Sequence, residues 1–143
     1  KIIEDYFANF PAISSFIEDT LTSARETGYV ETIFGRRRYL PDINSKNGTV
    51  RSLAERTAVN APIQGTSADI IKMAMINVER RLEKEGLQSR MVLQIHDELV
   101  FDAVAEEVET LERIVREEME NVTVLSVPLT VECNHGSNWL EAH

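Results

Sequence analysis

The stretch at residues 91–102 constrains the fold more than any other part of the chain. Two short runs rich in Val, Ile, Leu and Phe flank the polar centre His96-Asp97-Glu98. Runs of this length and composition predict β-strands, so the polar centre lies where one strand ends and the next begins. A tight hairpin would hold the carboxylates of Asp97 and Glu98 rigidly at its tip, with apolar arms anchored in a core.

Two interpretations of this tip remain open. An unpaired charge buried among apolar residues is very costly, and a divalent cation bound by the carboxylates is the simplest compensation. Alternatively, Asp97-Glu98 is an ordinary polar turn between two strands. This stretch alone does not decide between a metal site and a plain turn.

The size and composition of the chain narrow its class. Its 143 residues fit one domain, with 43% hydrophobic and 27% charged residues. The single cysteine, Cys133, excludes an internal disulfide and favours a reducing compartment. No run approaches the ~20 apolar residues of a membrane span, and no signal peptide is visible. Because the sequence begins with Lys1 rather than Met, we expect a fragment of a longer protein.

Charge is distributed unevenly along the chain. The formal net charge of −9 argues against a protein that coats DNA non-specifically. Residues 25–56 nevertheless carry seven basic side chains against four acidic ones, whereas residues 97–120 carry ten acidic against two basic. An acidic protein can therefore still present a basic face. Arg36-Arg37-Arg38 could contact phosphates through their guanidinium groups or could form an ordinary solvated surface.

Apolar spacing predicts several helices and a few short strands. In chain order the predicted elements are a helix over 2–27 with a break at Pro11 and a stop at Gly28, strands at 29–34 and 36–40, a loop at 44–48, a helix that ends near 61, a helix from Thr66 to Gly86, the hairpin at 91–102, an acidic helix at 104–121 and a last strand at 127–133. Pro62 and Gly65 are expected to interrupt the central helical region, and Thr66 to Asp69 fits a capping box. The glutamates of the acidic helix are expected to form a solvated face.

Three polar side chains near this expected break could recognise nucleic acid. Arg56 and Asn60 are four residues apart and share a helical face, and Gln64 lies in the break. Arg, Asn and Gln suit phosphates and base edges. An ordinary polar surface explains the same spacing.

Longer motifs in a fixed order carry a resemblance to a known family. They are Gly35-Arg36-Arg37-Arg38-Tyr39-Leu40-Pro41-Asp42, Ala54-Glu55-Arg56-Thr57-Ala58-Val59-Asn60-Ala61-Pro62-Ile63-Gln64-Gly65-Thr66, Ala68-Asp69-Ile70-Ile71-Lys72, Gln94-Ile95-His96-Asp97-Glu98 and the end from Asn138-Trp139 to His143. The whole chain resembles the C-terminal end of bacterial family A DNA polymerases, of the DNA polymerase I type. The resemblance implies an α+β fold in which residues 1–143 form part of the palm of the polymerase domain. An antiparallel palm sheet with a central acidic hairpin would be backed by helices, with a small fingers-adjacent hairpin at about 29–42.

The implied activity is that of a DNA-directed DNA polymerase in replication and repair. The primer 3′-hydroxyl attacks the α-phosphorus of a deoxynucleoside triphosphate, and pyrophosphate leaves. Two Mg²⁺ ions would neutralise charge on the attacking and leaving oxygens. By resemblance, Asp97 is a catalytic, metal-binding aspartate, and Glu98 is a nearby acid with a lesser role in catalysis and metal binding.

The resemblance also assigns DNA contacts to four residues. His96 matches a residue close to the primer terminus, and Gln64 matches one at the minor groove beside it. Arg56 and Asn60 match residues along the path of the template or primer. The partners implied are primer-template DNA, deoxynucleoside triphosphates and the rest of the polymerase chain, with no membrane and a bacterial, nucleoid-associated location.

Other family features match nothing in these 143 residues. They are the second metal-binding aspartate, the fingers helix that grips the triphosphate, and the thumb. We therefore expect the chain alone to be inactive. Asp69 and Lys72 are shared with the family and are expected to be structural, with Asp69 as an anion at the N-terminus of its helix.

Three competing interpretations lead to different expectations. A non-catalytic nucleic-acid-binding module would use Arg36–Arg38 and would be indifferent to Asp97. A free-standing acidic scaffold protein would need no Mg²⁺ at all. A phage or organelle relative, or a single-subunit RNA polymerase that shares the His-Asp pair, is the third, but the long matches at 54–72 favour the bacterial DNA enzyme.

Overall fold

The structure is a computed structural model that describes residues 2–142. The chain divides into two compact units, one up to Thr66 and the other from Ser67 onward. Its elements are α1 (Ile2–Asn9), α2 (Pro11–Thr27), β1 (Tyr29–Glu31), β2 (Arg37–Tyr39), α3 (Gly48–Glu85), β3 (Arg90–Ile95), β4 (Glu98–Asp102), a 3-10 turn (Ala105–Glu107), α4 (Val108–Glu120) and α5 (Trp139–Ala142).

Helices combine with small antiparallel sheets, as the α+β class predicts. β1 pairs with β2 and β3 pairs with β4, so the described residues hold separate two-stranded sheets rather than one larger sheet. The wider palm sheet therefore stays a prediction. None of the helices in residues 2–142 is both long and apolar enough to cross a membrane.

The core of the first unit lies between α2, the β1–β2 hairpin and the first part of α3. Its buried members are Ala24, Val30, Leu40, Ile43, Ala54 and Ala58. α2 begins with Pro11 in its first turn and ends at Gly28. Gly28 has a φ of 79°, and its N–H donates to the carbonyl of Ala24 at 2.8 Å, which closes the helix with a left-handed cap. Both predicted helix limits are confirmed.

The prediction that Pro62 and Gly65 break the central helix is wrong. α3 continues without interruption over Gly48–Glu85 and contains Pro62 in its interior. It begins where the Asn47 side-chain oxygen accepts a hydrogen bond from the N–H of Thr49 at 3.0 Å. Since an interior proline costs a helix about 3 kcal/mol, tertiary packing has to offset that cost.

Gly65 and Thr66 serve this packing rather than a helix start. The Thr66 hydroxyl accepts a hydrogen bond from the N–H of Ile33 at 3.2 Å, and the Gly65 carbonyl accepts one from Arg36 Nη2 at 3.0 Å. A Cβ added to Gly65 would lie only 2.7 Å from Cγ2 of Thr32. The missing side chain therefore lets the loop between β1 and β2 lie directly on α3.

Gly65→Ala should destabilise the chain by about 1 kcal/mol, because overpacking costs about 1–3 kcal/mol while alanine gains about 1 kcal/mol over glycine in a helix. Thr32 is buried, and its hydroxyl accepts bonds from the N–H groups of Phe34 and Arg36, so it has no room to turn away. Urea unfolding measures the change. Gly48→Ala is the control, since its Cβ meets nothing within 4 Å. Equal stability of the Gly65→Ala and unsubstituted chains would contradict the packing.

The second unit packs the last part of α3 against α4 and the β3–β4 hairpin. Its buried core consists of Val78, Leu82, Leu111, Ile114 and Val115, with Leu87, Met91, Phe101 and Met119 packed against it. β3 and β4 pair antiparallel, with an irregularity in register between Met91 and Leu93. The predicted hairpin is confirmed, and its arms are anchored through Met91 and Phe101.

The acidic surface of α4 is only partly the solvated face that the sequence predicted. Arg81 on α3 donates to the carboxylates of Glu85 at 2.6 Å, Glu118 at 2.7 Å and Glu117 at 3.1 Å. These hydrogen bonds, that to Glu85 first, raise the pKa of Arg81 above its usual value. Two acids of α4 thus link the helix to α3 through one guanidinium group.

Glu107, immediately before α4, fastens the base of the hairpin. Its carboxylate accepts hydrogen bonds from the N–H of Gln88 at 3.0 Å, the N–H of Ser89 at 2.8 Å and the Ser89 hydroxyl at 2.7 Å. That hydroxyl in turn accepts from the N–H of Val104 at 2.9 Å. The bond from Gln88, followed by those from Ser89, lowers the pKa of Glu107. This carboxylate is therefore structural.

Glu107→Gln should destabilise the chain at neutral pH and have little effect in acid. Because the pKa is lowered on folding, the ionised carboxylate adds stability above its unfolded-state pKa, and this is lost as the pH falls through the folded-state pKa. Urea titrations at both pH values measure the difference. Glu109→Gln, at an exposed position on α4, should show no such dependence. An equal loss of stability at neutral and acidic pH would contradict the role of the charge.

The predicted last strand at 127–133 is not formed. These residues have no regular secondary structure, and side chains of α4 hold the segment instead. The N–H of Val131 donates to Glu120 at 2.9 Å, and just after the segment His135 Nδ1 lies 2.9 Å from Glu112 Oε1. A strand requires a ladder partner, and none of the described strands pairs with this segment.

Candidate functional site

The predicted catalytic residues lie at the tip of the β3–β4 hairpin, with Asp97 in a two-residue turn and Glu98 as the first residue of β4. Ile95 pairs with Glu98, so His96 and Asp97 alone make the connection. His96 has a φ of 53° and is the non-glycine residue with positive φ within residues 2–142. Two-residue hairpin turns usually use Gly, Asn or Asp for such a conformation. Strain of this kind costs about 1–3 kcal/mol and clusters at functional sites.

The polar side chains of the tip are exposed to solvent. His96, Asp97 and Glu98 are all exposed, and no ion pair of Asp97 is formed within the described part of the chain. The sequence-based idea that a buried charge requires a cation is therefore wrong for these residues, because an exposed carboxylate keeps its hydration. What the fold provides instead is a carboxylate that is accessible and held on a short turn.

The described residues alone do not complete a metal site. Within residues 2–142 no group of three or more His, Cys, Asp or Glu side chains could hold a metal ion. Mg²⁺, however, is usually bound by one or two carboxylates, and water and substrate phosphates fill its other positions. The accessible carboxylates of Asp97 and Glu98 fit such a partial set of hard oxygen ligands.

A groove in the first unit brings together the predicted DNA-contacting residues of α3. It has a volume of about 620 Å³ and lies between α3 and the β1–β2 hairpin. Arg56, Asn60 and Gln64 line it. Because they are four residues apart along one uninterrupted helix, they form a single stripe on its surface. The continuity of α3 through Pro62 is what places Gln64 on the same face as the other two.

The three consecutive arginines line the same groove from the hairpin. Arg36 donates to a backbone carbonyl of α3 at 3.0 Å. Arg37 donates to Glu31 at 2.7 Å and lies 4.3 Å from the centroid of the Tyr29 ring. The bond to Glu31 raises the pKa of Arg37. Arg36 and Arg37 thus each have a structural contact within the first unit, and Arg38 lines the same groove.

The remaining matched residues have different surroundings from those expected. Asp69 is half-buried and Lys72 is exposed, and both lie in the interior of α3. Asp69 is therefore not at a helix N-terminus, because α3 begins at Gly48, and its expected role there is wrong. Sequence reasoning also missed the side chain of Gln94, whose Nε2 donates to the carbonyl of His96 at 2.6 Å. The residue was visible in its motif, but nothing in the pattern indicated this bond.

Comparison with known proteins confirms the resemblance. The family model described as DNA polymerase family A matches residues 1–141. DNA polymerase I of Geobacillus stearothermophilus is 51% identical over 142 residues, which cover 99% of this chain and 16% of that protein. DNA polymerase I of Pseudomonas aeruginosa is 51% identical over 141 residues, which cover 99% and 15%. The thermostable DNA polymerase I of Thermus aquaticus is 51% identical over 140 residues, which cover 98% of this chain and 17% of that protein.

A solved structure is similar over almost the whole chain. It is the POL domain of Pol1 from M. smegmatis in complex with DNA primer-template and dNTP. The TM-score is 0.96 and the sequence identity 48%, and the match covers 98% of this chain and 25% of that one. This chain spans only 15–17% of the length of the three relatives.

Proposed function

This chain belongs to DNA polymerase family A, and from that membership we propose that it is the C-terminal palm portion of a DNA-directed DNA polymerase. The hairpin at about 29–42 would adjoin the fingers. The full-length protein would add deoxynucleotides to a primer 3′-hydroxyl, in replication and repair, at the nucleoid of a bacterial cytoplasm. The observation that carries the proposal is the turn that presents the exposed Asp97 carboxylate beside a histidine held at a φ of 53°.

In the proposed reaction the primer 3′-oxygen attacks the α-phosphorus and pyrophosphate leaves. Two bound Mg²⁺ ions would supply positive charge to the attacking and leaving oxygens. Asp97 is the main carboxylate that this chain contributes to holding them, and Glu98, the first residue of β4, contributes less. Asp97 in the two-residue turn and Glu98 at the start of β4 both extend from the hydrogen-bonded hairpin backbone, which would keep the two carboxylates near each other before substrate arrives.

The stripe on α3 and the tip histidine are proposed to contact DNA near the primer terminus. The minor-groove acceptors are common to all correct base pairs. A Gln64 amide that donates to them can therefore test the geometry of a pair without reading its sequence, as a copying enzyme requires. Arg56 and Asn60 would lie along the path of the template or primer, and His96 would lie beside the primer terminus.

Exposed apolar side chains support the proposal that more of the polymerase chain packs against this part. Large side chains that are at least 41% exposed include Tyr6, Phe10, Ile33, Phe34, Tyr39, Leu53, Ile63, Ile76, Val92 and Leu93. They occur on α1, at Phe10 between α1 and α2, on the β1–β2 hairpin, on α3 and on β3. The ring centroids of Tyr6 and Phe10 lie 5.1 Å apart, and neighbouring exposed apolar side chains of this kind often mark an interface.

Gln64→Ala in the full-length polymerase should slow extension of matched primers by about tenfold, because a lost hydrogen bond of about 1.4 kcal/mol corresponds to that factor. Extension of mismatched primers should fall less, so that discrimination weakens. Steady-state kinetics with matched and mismatched primer termini measure both effects. Gln88→Ala, at a residue that does not line the groove, is the matched control. Unchanged discrimination in the Gln64 variant would count against the minor-groove role.

A further inference from the structure

The turn between β3 and β4 adopts a conformation that its own residues do not favour. His96 has a φ of 53°, in the left-handed region where the Cβ of most residues crowds the neighbouring carbonyl. Strained conformations of this kind persist only where surrounding groups impose them. A restraint from outside the two turn residues is therefore needed.

The side chain of Gln94 supplies a restraint of this kind. Its Nε2 donates a hydrogen bond to the carbonyl oxygen of His96 at 2.6 Å. That carbonyl belongs to the planar peptide that joins His96 to Asp97. The hydrogen bond therefore orients this peptide plane, and with it the backbone to which the Asp97 side chain is attached. Gln94 lies in β3 opposite Leu99, and the restraint is thus anchored in the paired part of the hairpin.

We propose that Gln94 is a positioning residue, which orients the Asp97 carboxylate by fixing the peptide between His96 and Asp97. The inference rests on the proposed function, since it takes Asp97 to be a metal-binding carboxylate. Gln94 acts here through the backbone and touches neither the metal nor the reacting atoms. Loss of groups that orient a metal ligand commonly weakens metal binding by about 10–100-fold. We expect the lower end of this range, because the lost bond reaches the ligand indirectly.

The test compares Gln94→Met and Gln94→Glu in the full-length polymerase. Both side chains resemble glutamine in length, and neither has an amide donor. The affinity of the primer-template complex for Mn²⁺, measured by electron paramagnetic resonance without nucleotide, should fall about tenfold in Gln94→Met. It should fall less in Gln94→Glu, because the added negative charge attracts the cation. The Mg²⁺ concentration for half-maximal extension should rise by a similar factor, with the KM for primer-template unchanged. Gln88→Met is the control and should leave Mn²⁺ affinity as it was.

The outcomes separate this inference from the function on which it rests. If Gln94→Met keeps its Mn²⁺ affinity while Asp97→Asn loses both Mn²⁺ affinity and primer extension, the positioning role alone is overturned. A raised KM for primer-template with unchanged Mn²⁺ affinity makes Gln94 a DNA contact and overturns the positioning role as well. An Asp97→Asn enzyme that keeps both its rate and its Mn²⁺ affinity overturns the proposed function, and the role of Gln94 with it.

Discussion

Asp97→Asn in the full-length polymerase should lower the rate of primer extension by at least about a thousandfold, since charge stabilisation by bound metal is worth several kcal/mol and each 1.36 kcal/mol is tenfold in rate. The substitution keeps the size of the side chain and removes only its charge. Asp97 is exposed at the tip of the hairpin and forms no ion pair within the described residues. Folding should therefore survive the change. Single-turnover extension at saturating DNA and nucleotide measures the loss.

Asp102→Asn is the matched control for this prediction. Asp102 is exposed at the opposite end of β4, so the same change in charge occurs on the same strand away from the turn. Surface substitutions of this kind usually change stability by no more than about 0.5 kcal/mol, so the fold should stay intact. The extension rate of Asp102→Asn should therefore stay within about twofold of the unsubstituted rate. Wild-type turnover in Asp97→Asn, or an equal loss in both variants, would refute the metal assignment.

The isolated chain of 143 residues should show no measurable primer extension with Mg²⁺ and all four deoxynucleotides. A two-metal reaction needs ligands for both ions, and the described residues hold no group of three or more possible ligands. The carboxylates of Asp97 and Glu98 by themselves leave that site incomplete. The full-length polymerase at equal concentration is the positive control, and circular dichroism establishes that the shorter chain is folded.

A contaminating host polymerase could imitate activity of the isolated chain. The same chain with Asp97→Asn, purified in parallel, distinguishes the two sources. Extension that the intact chain catalyses and the Asp97→Asn chain does not would contradict the prediction and would mean that one carboxylate cluster is sufficient. Equal trace extension by both chains would come from the contaminant.

Local signals in the sequence determined several parts of this protein. The alternation of apolar arms and polar centre placed the hairpin, with β3 at Arg90–Ile95 and β4 at Glu98–Asp102. Pro11 and Gly28 marked the limits of α2 because their effects on φ and on hydrogen bonding act within a single turn of helix. The ordered motifs also identified the family, which the comparisons confirm.

Tertiary structure alone decided the course of α3 and the shape of the groove. The sequence around Pro62 and Gly65 favours a break, yet the helix continues. Gly65 and Thr66 accept hydrogen bonds from Arg36 and Ile33, in a loop about 30 residues earlier in the chain, and this packing stabilises the helix there. Contacts at that separation leave no periodic signal in the sequence. The same holds for Glu107, which bonds to residues 18 and 19 positions away.

The structure departs from the sequence-based expectations at two further places, and both departures have the same physical origin. Residues 127–133 have the composition of a strand, but a strand forms only when a neighbouring strand completes its backbone hydrogen bonds. The left-handed φ of His96 is likewise set by the closure of the turn and by the side chain of Gln94 rather than by any preference of histidine. Local backbone preferences can be read from the sequence, whereas the partner that satisfies each polar group is known only once distant segments are brought together.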